Sequence, residues 1–492
     1  MCVLRIYPFV DLPMHLAAAT IYRHFGEANN VFNQFYTIEK IFGQPNTFHL
    51  LFCGLKVFPS VEFANKLFYC LYVLLLPTST LLVIKRLNGN RWFSILSFLY
   101  LYNYNVSWGF VGFTISIPLI LFFIYFLFNY LFKHRILDVV IITSSLLFMF
   151  FVHVLTPIFC ITIFLLSILY FHKDSFQNIL RKCVVLIPVI VLLILWWNSQ
   201  PLQDPGKSIA NTLVDYYKND YLRTFSLRLG LVYWDNFLIT GNVLGRVIGL
   251  FFSLSTIVIA LNWRELLRKP LNQKLKTDPF IFIFIFFITS ILWYLLLPQI
   301  IRVFYFSFYR FTIFCFLPII ILGSIIAQKS IQRTKILLIC IVSIFHLILW
   351  TNYFGDFHKE NREFTGKIFP ETSKEKILAG VMYDLWYKGQ PVYIHFPNYF
   401  IVWKNGIATI KAIDLGGSWR IGRKVGKNIL PEYNEWVGLY NDYDGRYVDV
   451  DFIYARGKFP KKDLQYFKKF DIVGRLDEWT FCRRKTESEN VE

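Results

Sequence analysis

Long apolar runs recur from residue 61 to residue 354. Several approach the roughly 20 residues that a helix needs to cross a bilayer. In lipid such a run satisfies its backbone polar groups by coiling into a helix. The chain is therefore expected to be a polytopic α-helical membrane protein. Charged residues make up 17% of its 492 residues, against about 25% in a soluble domain. That excludes a soluble enzyme and a disordered chain. The eight cysteines are scattered without CxxC spacing, so neither a zinc site nor a disulfide framework is expected.

The runs predict about ten transmembrane helices, at 61–84, 92–105, 108–132, 136–152, 154–171, 183–198, 243–262, 279–298, 306–327 and 335–354. Pro157 marks the break between the fourth and fifth. The net charge of +19 is uneven, with +16 on residues 1–354 and +3 on residues 355–492. The excess lies between apolar runs. Alternate loops hold 16 Lys and Arg on one side and five on the other. By the positive-inside rule the richer side is cytoplasmic. The basic balance is then topology, and no nucleic-acid partner is expected. An even number of spans places the segment near Asp11, the loop 199–242 and the C-terminal tail on the outer side.

Residues 1–354 read as the transmembrane domain. Within it, residues 12–58 are too polar to span and too apolar for a free loop, which suits helices lying in the membrane interface. Residues 1–10 are apolar but too short to cross. Two readings stay open, a short interfacial segment or the end of a longer first helix. Residues 355–492 form a separate extracytoplasmic α+β domain. In it the spacing predicts a helix over Lys374–Lys388, closed by Gly389. Strands are expected at Gln390–Pro397, Tyr399–Trp403, Tyr447–Tyr454 and Phe470–Val473.

Asp11 leads the candidate residues. It stands in Asp11-Leu12-Pro13-Met14-His15, with His15 one helical turn on. A carboxylate at a membrane boundary can take a proton from a hydroxyl, but Asp ahead of Pro is also a common helix start. Spacing leaves both open. Arg302 and Arg310 fall at the outer side of the ninth span, where a guanidinium either binds phosphate through paired donors or snorkels to headgroups. His153 sits at an outer turn, either as a site residue or bonded to backbone. Asn103 and Asn105 read as turn residues, and His395 as a structural residue of its strand.

With Asp11-Leu-Pro-Met-His15 the chain resembles the GT-C superfamily of polytopic glycosyltransferases. The likeness is to bacterial members with an Asp-x-Pro-x-His first outer loop. Further matching stretches are Asn105–Phe113 with its Trp-Gly-Phe, His153 after an apolar run, Tyr309-Arg310-Phe311, and residues 395–406. The resemblance implies inverting transfer of a sugar from a polyprenyl-phosphate donor to an extracytoplasmic glycan, lipid or protein acceptor. It implies a bacterial inner (plasma) membrane, and Asp11 as the catalytic acid residue of the family. Two departures stand out. The family's first transmembrane helix has no counterpart ahead of Asp11, and no second acid stands beside it. No essential metal and no cofactor are therefore expected. Two other functions compete: a non-catalytic transporter or flippase of lipid-linked sugars, and a membrane-anchored protein that binds envelope components.

Overall fold

A computed structural model describes residues 4–28, 31–39, 43–133, 135–172, 176–199, 216–233, 278–299, 307–327, 333–365, 368–369, 377–410, 413, 419, 421–424, 433–434, 439–440, 450–458 and 468–485. The chain divides into two compact units. One comprises Met1–Tyr69, Ser107–Phe110 and Phe354–Glu492, the other Cys70–Val106 and Val111–Tyr353.

The first unit joins the N-terminal segment to the C-terminal tail. The helix Leu12–His24 has Pro13 in its first turn, where a missing N–H costs nothing, followed by an Ala17-Ala18-Ala19 run that packs closely. It is covered by the helix Phe48–Gly54. A Cβ on Gly54 would lie 2.5 Å from the Tyr22 ring, so only glycine permits that approach. At its far end Arg23 donates to the carbonyls of Leu55 and Phe58 at 2.9 and 2.7 Å, which fixes the loop that follows.

The tail carries a mixed five-stranded sheet. Its strands are β2 (Ile377–Met382), β3 (Ile407–Ala408), β5 (Phe452–Arg456), β6 (Phe470–Leu476) and β7 (Trp479–Arg484), in the order β3-β2-β5-β7-β6. β2 runs parallel to β3 and β5, while β7 is antiparallel to β5 and β6. A second, two-stranded ladder pairs β1 (Tyr36–Ile38) with β4 (Ile421–Arg423), tying the N-terminal segment to the tail.

Three tail expectations are corrected. The predicted helix Lys374–Lys388 contains strand β2, because Ile377–Met382 is a nearly continuous buried run, as central parallel strands are. The predicted strand Gln390–Pro397 is a short 3₁₀ helix, Val392–Asn398, bounded by Pro391 and containing Pro397. Proline supplies no donor to a ladder, which excludes a central strand there. Tyr399–Trp403 is helical, in Tyr399–Lys404, and ends at Asn405 with a left-handed φ of 52°. The expectations at Tyr447–Tyr454 and Phe470–Val473 meet β5 and β6 among the described residues.

The second unit consists mainly of apolar helices. Among the described residues, six helices are long and apolar enough to cross a membrane: Val61–Arg86, Val111–Lys133, Phe176–Ser199, Asp278–Leu296, Phe308–Ile326 and Arg333–Glu360. Ile136–Val152 and Leu155–Phe171 are shorter apolar helices. They break at His153, whose φ of −164° and ψ of 120° are extended, and Pro157 lies within the first turn of the second. Phe113, Phe159, Phe311 and Phe314 pack with ring centroids 5.0–6.3 Å apart.

The expected span 92–105 is not one helix. It is the 3₁₀ helix Arg91–Tyr100 followed by the short helix Tyr104–Trp108. Polar side chains account for the break. The Ser94 and Ser97 hydroxyls donate to carbonyls three residues back, and Asn103 Oδ1 accepts from the Asn105 N–H, starting a new helix at Tyr104. The expected span 243–262 and most of the loop 199–242 lie outside the described residues.

Candidate functional site

Asp11 is the N-cap residue of the helix Leu12–His24, but its carboxylate makes no capping hydrogen bond. Its φ of −87° and ψ of −8° are helical rather than the extended values that turn a cap side chain back on the first turn. The backbone is fixed from the other side. The N–H of Val10 donates to the Ser107 carbonyl at 3.1 Å, and that of Asp11 to the Trp108 carbonyl at 2.9 Å. Gly109 follows with φ +73°, and a Cβ there would lie 2.8 Å from the Leu12 nitrogen and 3.1 Å from the Asp11 nitrogen. The Trp-Gly-Phe stretch is therefore the clamp on Asp11. Glycine is required there twice over, for the left-handed backbone and for the close approach.

The carboxylate faces a histidine. His395 Nε2 lies 3.5 Å from Asp11 Oδ1, with the His395 side chain 7% exposed and that of Asp11 21%. A protonated His395 forms an ion pair with Asp11, and a neutral one lies at the edge of hydrogen-bond reach. The 3₁₀ turn that carries His395 is seated on β2, where a Cβ at Gly380 would come 2.0 Å from Pro397 Cγ. Close backbone approach thus sets both partners of the pair. The isolated position of His395 in sequence gave no sign of this pairing.

His15 lies beside the same helix start, its backbone N–H bonded to the Asp11 carbonyl at 3.2 Å. Its ring meets those of Trp419, with centroids 4.8 Å apart, and His49, at 5.6 Å. His49 is buried, and its Nε2–H donates to Asn65 Oδ1 at 3.0 Å. Burial pushes its pKa down to about 4, so this imidazole is neutral at pH 7. Among the described residues no cluster of His, Cys, Asp and Glu has the arrangement of a metal site.

The other predicted residues belong to the second unit. His153 is buried at the helix break, edge-on to Phe113 at 5.1 Å. Its backbone N–H bonds to the Met149 carbonyl at 2.8 Å, and its own carbonyl accepts from Thr156 at 3.0 Å. The charge of Arg310 is felt at His153, so these two expected substrate-binding residues share a neighbourhood. Arg310 lies half-buried in the 3₁₀ segment Phe308–Cys315, and its carbonyl accepts from Asn105 Nδ2 at 3.0 Å. Arg302 lies outside the described residues.

A further cation was not singled out by the sequence. Arg228, in the helix Tyr221–Tyr233, is completely buried. Its guanidinium donates to the carbonyls of Tyr294 and Leu297 at 2.5 and 2.7 Å and to the Tyr216 hydroxyl at 2.5 Å, and lies 3.8 Å over the Phe308 ring. Those carbonyls close the helix Asp278–Leu296, so Arg228 serves as its C-terminal cap. No protein-family model matches the chain, and no curated protein matches its sequence.

Proposed function

We propose that the protein is an integral membrane glycosyltransferase that moves a sugar from a polyprenyl-phosphate donor to an extracytoplasmic acceptor, with Asp11 as general base. One observation carries the reading: the Asp11 carboxylate is not engaged in capping its helix and stands partly open opposite His395. The Asp-x-Pro-x-His resemblance and the six long apolar helices support it.

An acceptor hydroxyl has a pKa far above 7, so a carboxylate must take its proton as the new glycosidic bond forms. Attack on the anomeric carbon from the face opposite the phosphate inverts the configuration. The bond to the lipid phosphate breaks, and the released phosphate carries the electron pair. Arg302 and Arg310 are the cations proposed to stabilise that charge. His395 is proposed to hold the carboxylate rotamer from 3.5 Å. His15 is proposed to act with Asp11 as a catalytic residue, and His153 to bind the substrate. The donor's lipid tail accounts for a transferase built mostly of membrane helices. In this reading ten spans place the tail domain outside the inner (plasma) membrane of a bacterium.

The test is Asp11→Asn in purified protein supplied with a polyprenyl-phosphate sugar. Asparagine keeps the side-chain shape and can still cap a helix. Transfer is expected to fall by roughly 10²–10⁴-fold with donor affinity unchanged. Undiminished transfer overturns the assignment.

A further inference from the structure

The helix Tyr221–Tyr233 is built the wrong way round for a helix in water, although it falls in the stretch 199–242 that reads from sequence as an outer loop. Its buried side is polar. Thr224 and Arg228, one turn apart, are buried, and the half-buried Tyr221 precedes them by a turn on the same side. Its exposed side is apolar. Leu222, Phe225 and Leu229 recur at i, i+3 and i+7 and are all exposed, Leu222 by 80%. Leu227 is exposed as well, and Ser226 is the one polar side chain exposed among those described on the helix. By spacing, Arg223 falls outside the apolar stripe. A helix that faces water carries the opposite arrangement, with its apolar stripe against the protein.

The polar side fixes the helix to the end of Asp278–Leu296. Besides the bonds of the Arg228 guanidinium, the Tyr294 hydroxyl donates to the Arg228 carbonyl at 2.6 Å, and the Tyr216 and Thr224 hydroxyls meet at 3.0 Å. The Tyr217 hydroxyl donates to the Leu296 carbonyl. Asp278–Leu296 is itself long and apolar enough to cross a membrane, and it exposes Phe284, Ile288, Leu292 and Leu296 at four-residue spacing. Tyr217 and Leu296 are both exposed at the joint, so apolar exposure continues from one helix to the other. We infer that Tyr221–Tyr233 is a membrane-embedded helix whose Leu222, Phe225 and Leu229 face the acyl chains of the bilayer. It is an amphipathic interfacial helix whose polar side is taken by protein instead of water. Tyr216, Tyr217 and Tyr221 at its start suit the headgroup level, where tyrosine is enriched. A second copy of the chain seated on the stripe would also have to cover the exposed row on Asp278–Leu296, which the bilayer covers for any spanning helix. The inference concerns membrane placement and stands apart from the glycosyltransferase reading.

Photo-crosslinking of the full-length protein in vesicles of phosphatidylethanolamine and phosphatidylglycerol tests the inference. The variants Leu222→p-benzoylphenylalanine and Phe225→p-benzoylphenylalanine place the probe on the stripe, and Phe284→p-benzoylphenylalanine serves as the reference on the spanning helix. All three positions are exposed, so the added ring displaces no core residue. After irradiation, mass spectrometry is expected to find phospholipid acyl-chain adducts at Leu222 and Phe225 in a yield at least half that at Phe284. Adducts at Phe284 with none at Leu222 or Phe225 overturn the inference and return the helix to water. Adducts at Leu222 and Phe225 to a second copy of the chain in place of lipid overturn it as well.

Discussion

At the residue scale, close backbone approach fixes a few polar groups. Gly109 is the clearest case, because its left-handed φ of +73° and the 2.8 Å approach to the Leu12 nitrogen act on the backbone that carries Asp11. Gly109→Ala is expected to destabilise the protein by about 1–3 kcal/mol through backbone strain. It is also expected to lower transfer more than donor affinity, as read by melting and kinetics side by side. Equal transfer in a folded Gly109→Ala protein would show that the clamp is dispensable. His49 gives a pH test. Its folded-state pKa of about 4 lies below the ordinary histidine value of 6.5, so between those values the unfolded chain binds more protons. Stability is therefore lost as pH falls through that window, by about 3 kcal/mol in total. Melting curves between pH 7 and pH 4 are expected to be flatter for His49→Gln, and an unchanged slope would contradict the assignment.

At the element scale, what was legible in sequence depended on whether local pattern and tertiary burial agreed. The long apolar helices were readable because burial in lipid needs nothing beyond the run itself. The expected span 92–105 was not, since hydroxyl and amide side chains at Ser94, Ser97 and Asn103 bond their own backbone and break the run into a 3₁₀ helix and a short helix. In the tail, Ile377, Leu378, Met382 and Leu385 also fit a helical spacing, but burial in a parallel sheet decided for β2. Of the candidate site, Asp11 and His15 were visible as a motif. His395 was not, because its partner lies 384 positions away in the chain and nothing local marks a long-range pair. Arg228 was hidden for a related reason, since the carbonyls it caps belong to another helix.

At the scale of the whole molecule, the N-terminal segment and the tail domain form one compact unit although most of the chain separates them in sequence. The contact of Asp11 with His395 and the ladder between β1 and β4 require both segments on one side of the membrane. Reporter fusions are therefore expected to read cytoplasmic between Lys85 and Arg91 and between Arg264 and Lys276, and extracytoplasmic at residue 400. A cytoplasmic signal at residue 400 would contradict the proposed ten-span topology.

The proposed function has the protein transfer a sugar outside the membrane, with Asp11 required. Mass spectrometry of envelope glycans and glycolipids is the direct measurement, made on cells that lack the protein and are supplied with either the unmodified chain or Asp11→Asn. The account predicts that one glycosylated species disappears without the protein, returns with the unmodified chain and stays absent with Asp11→Asn at equal protein level. Restoration of that species by Asp11→Asn, or an identical set of glycans with and without the protein, would contradict it.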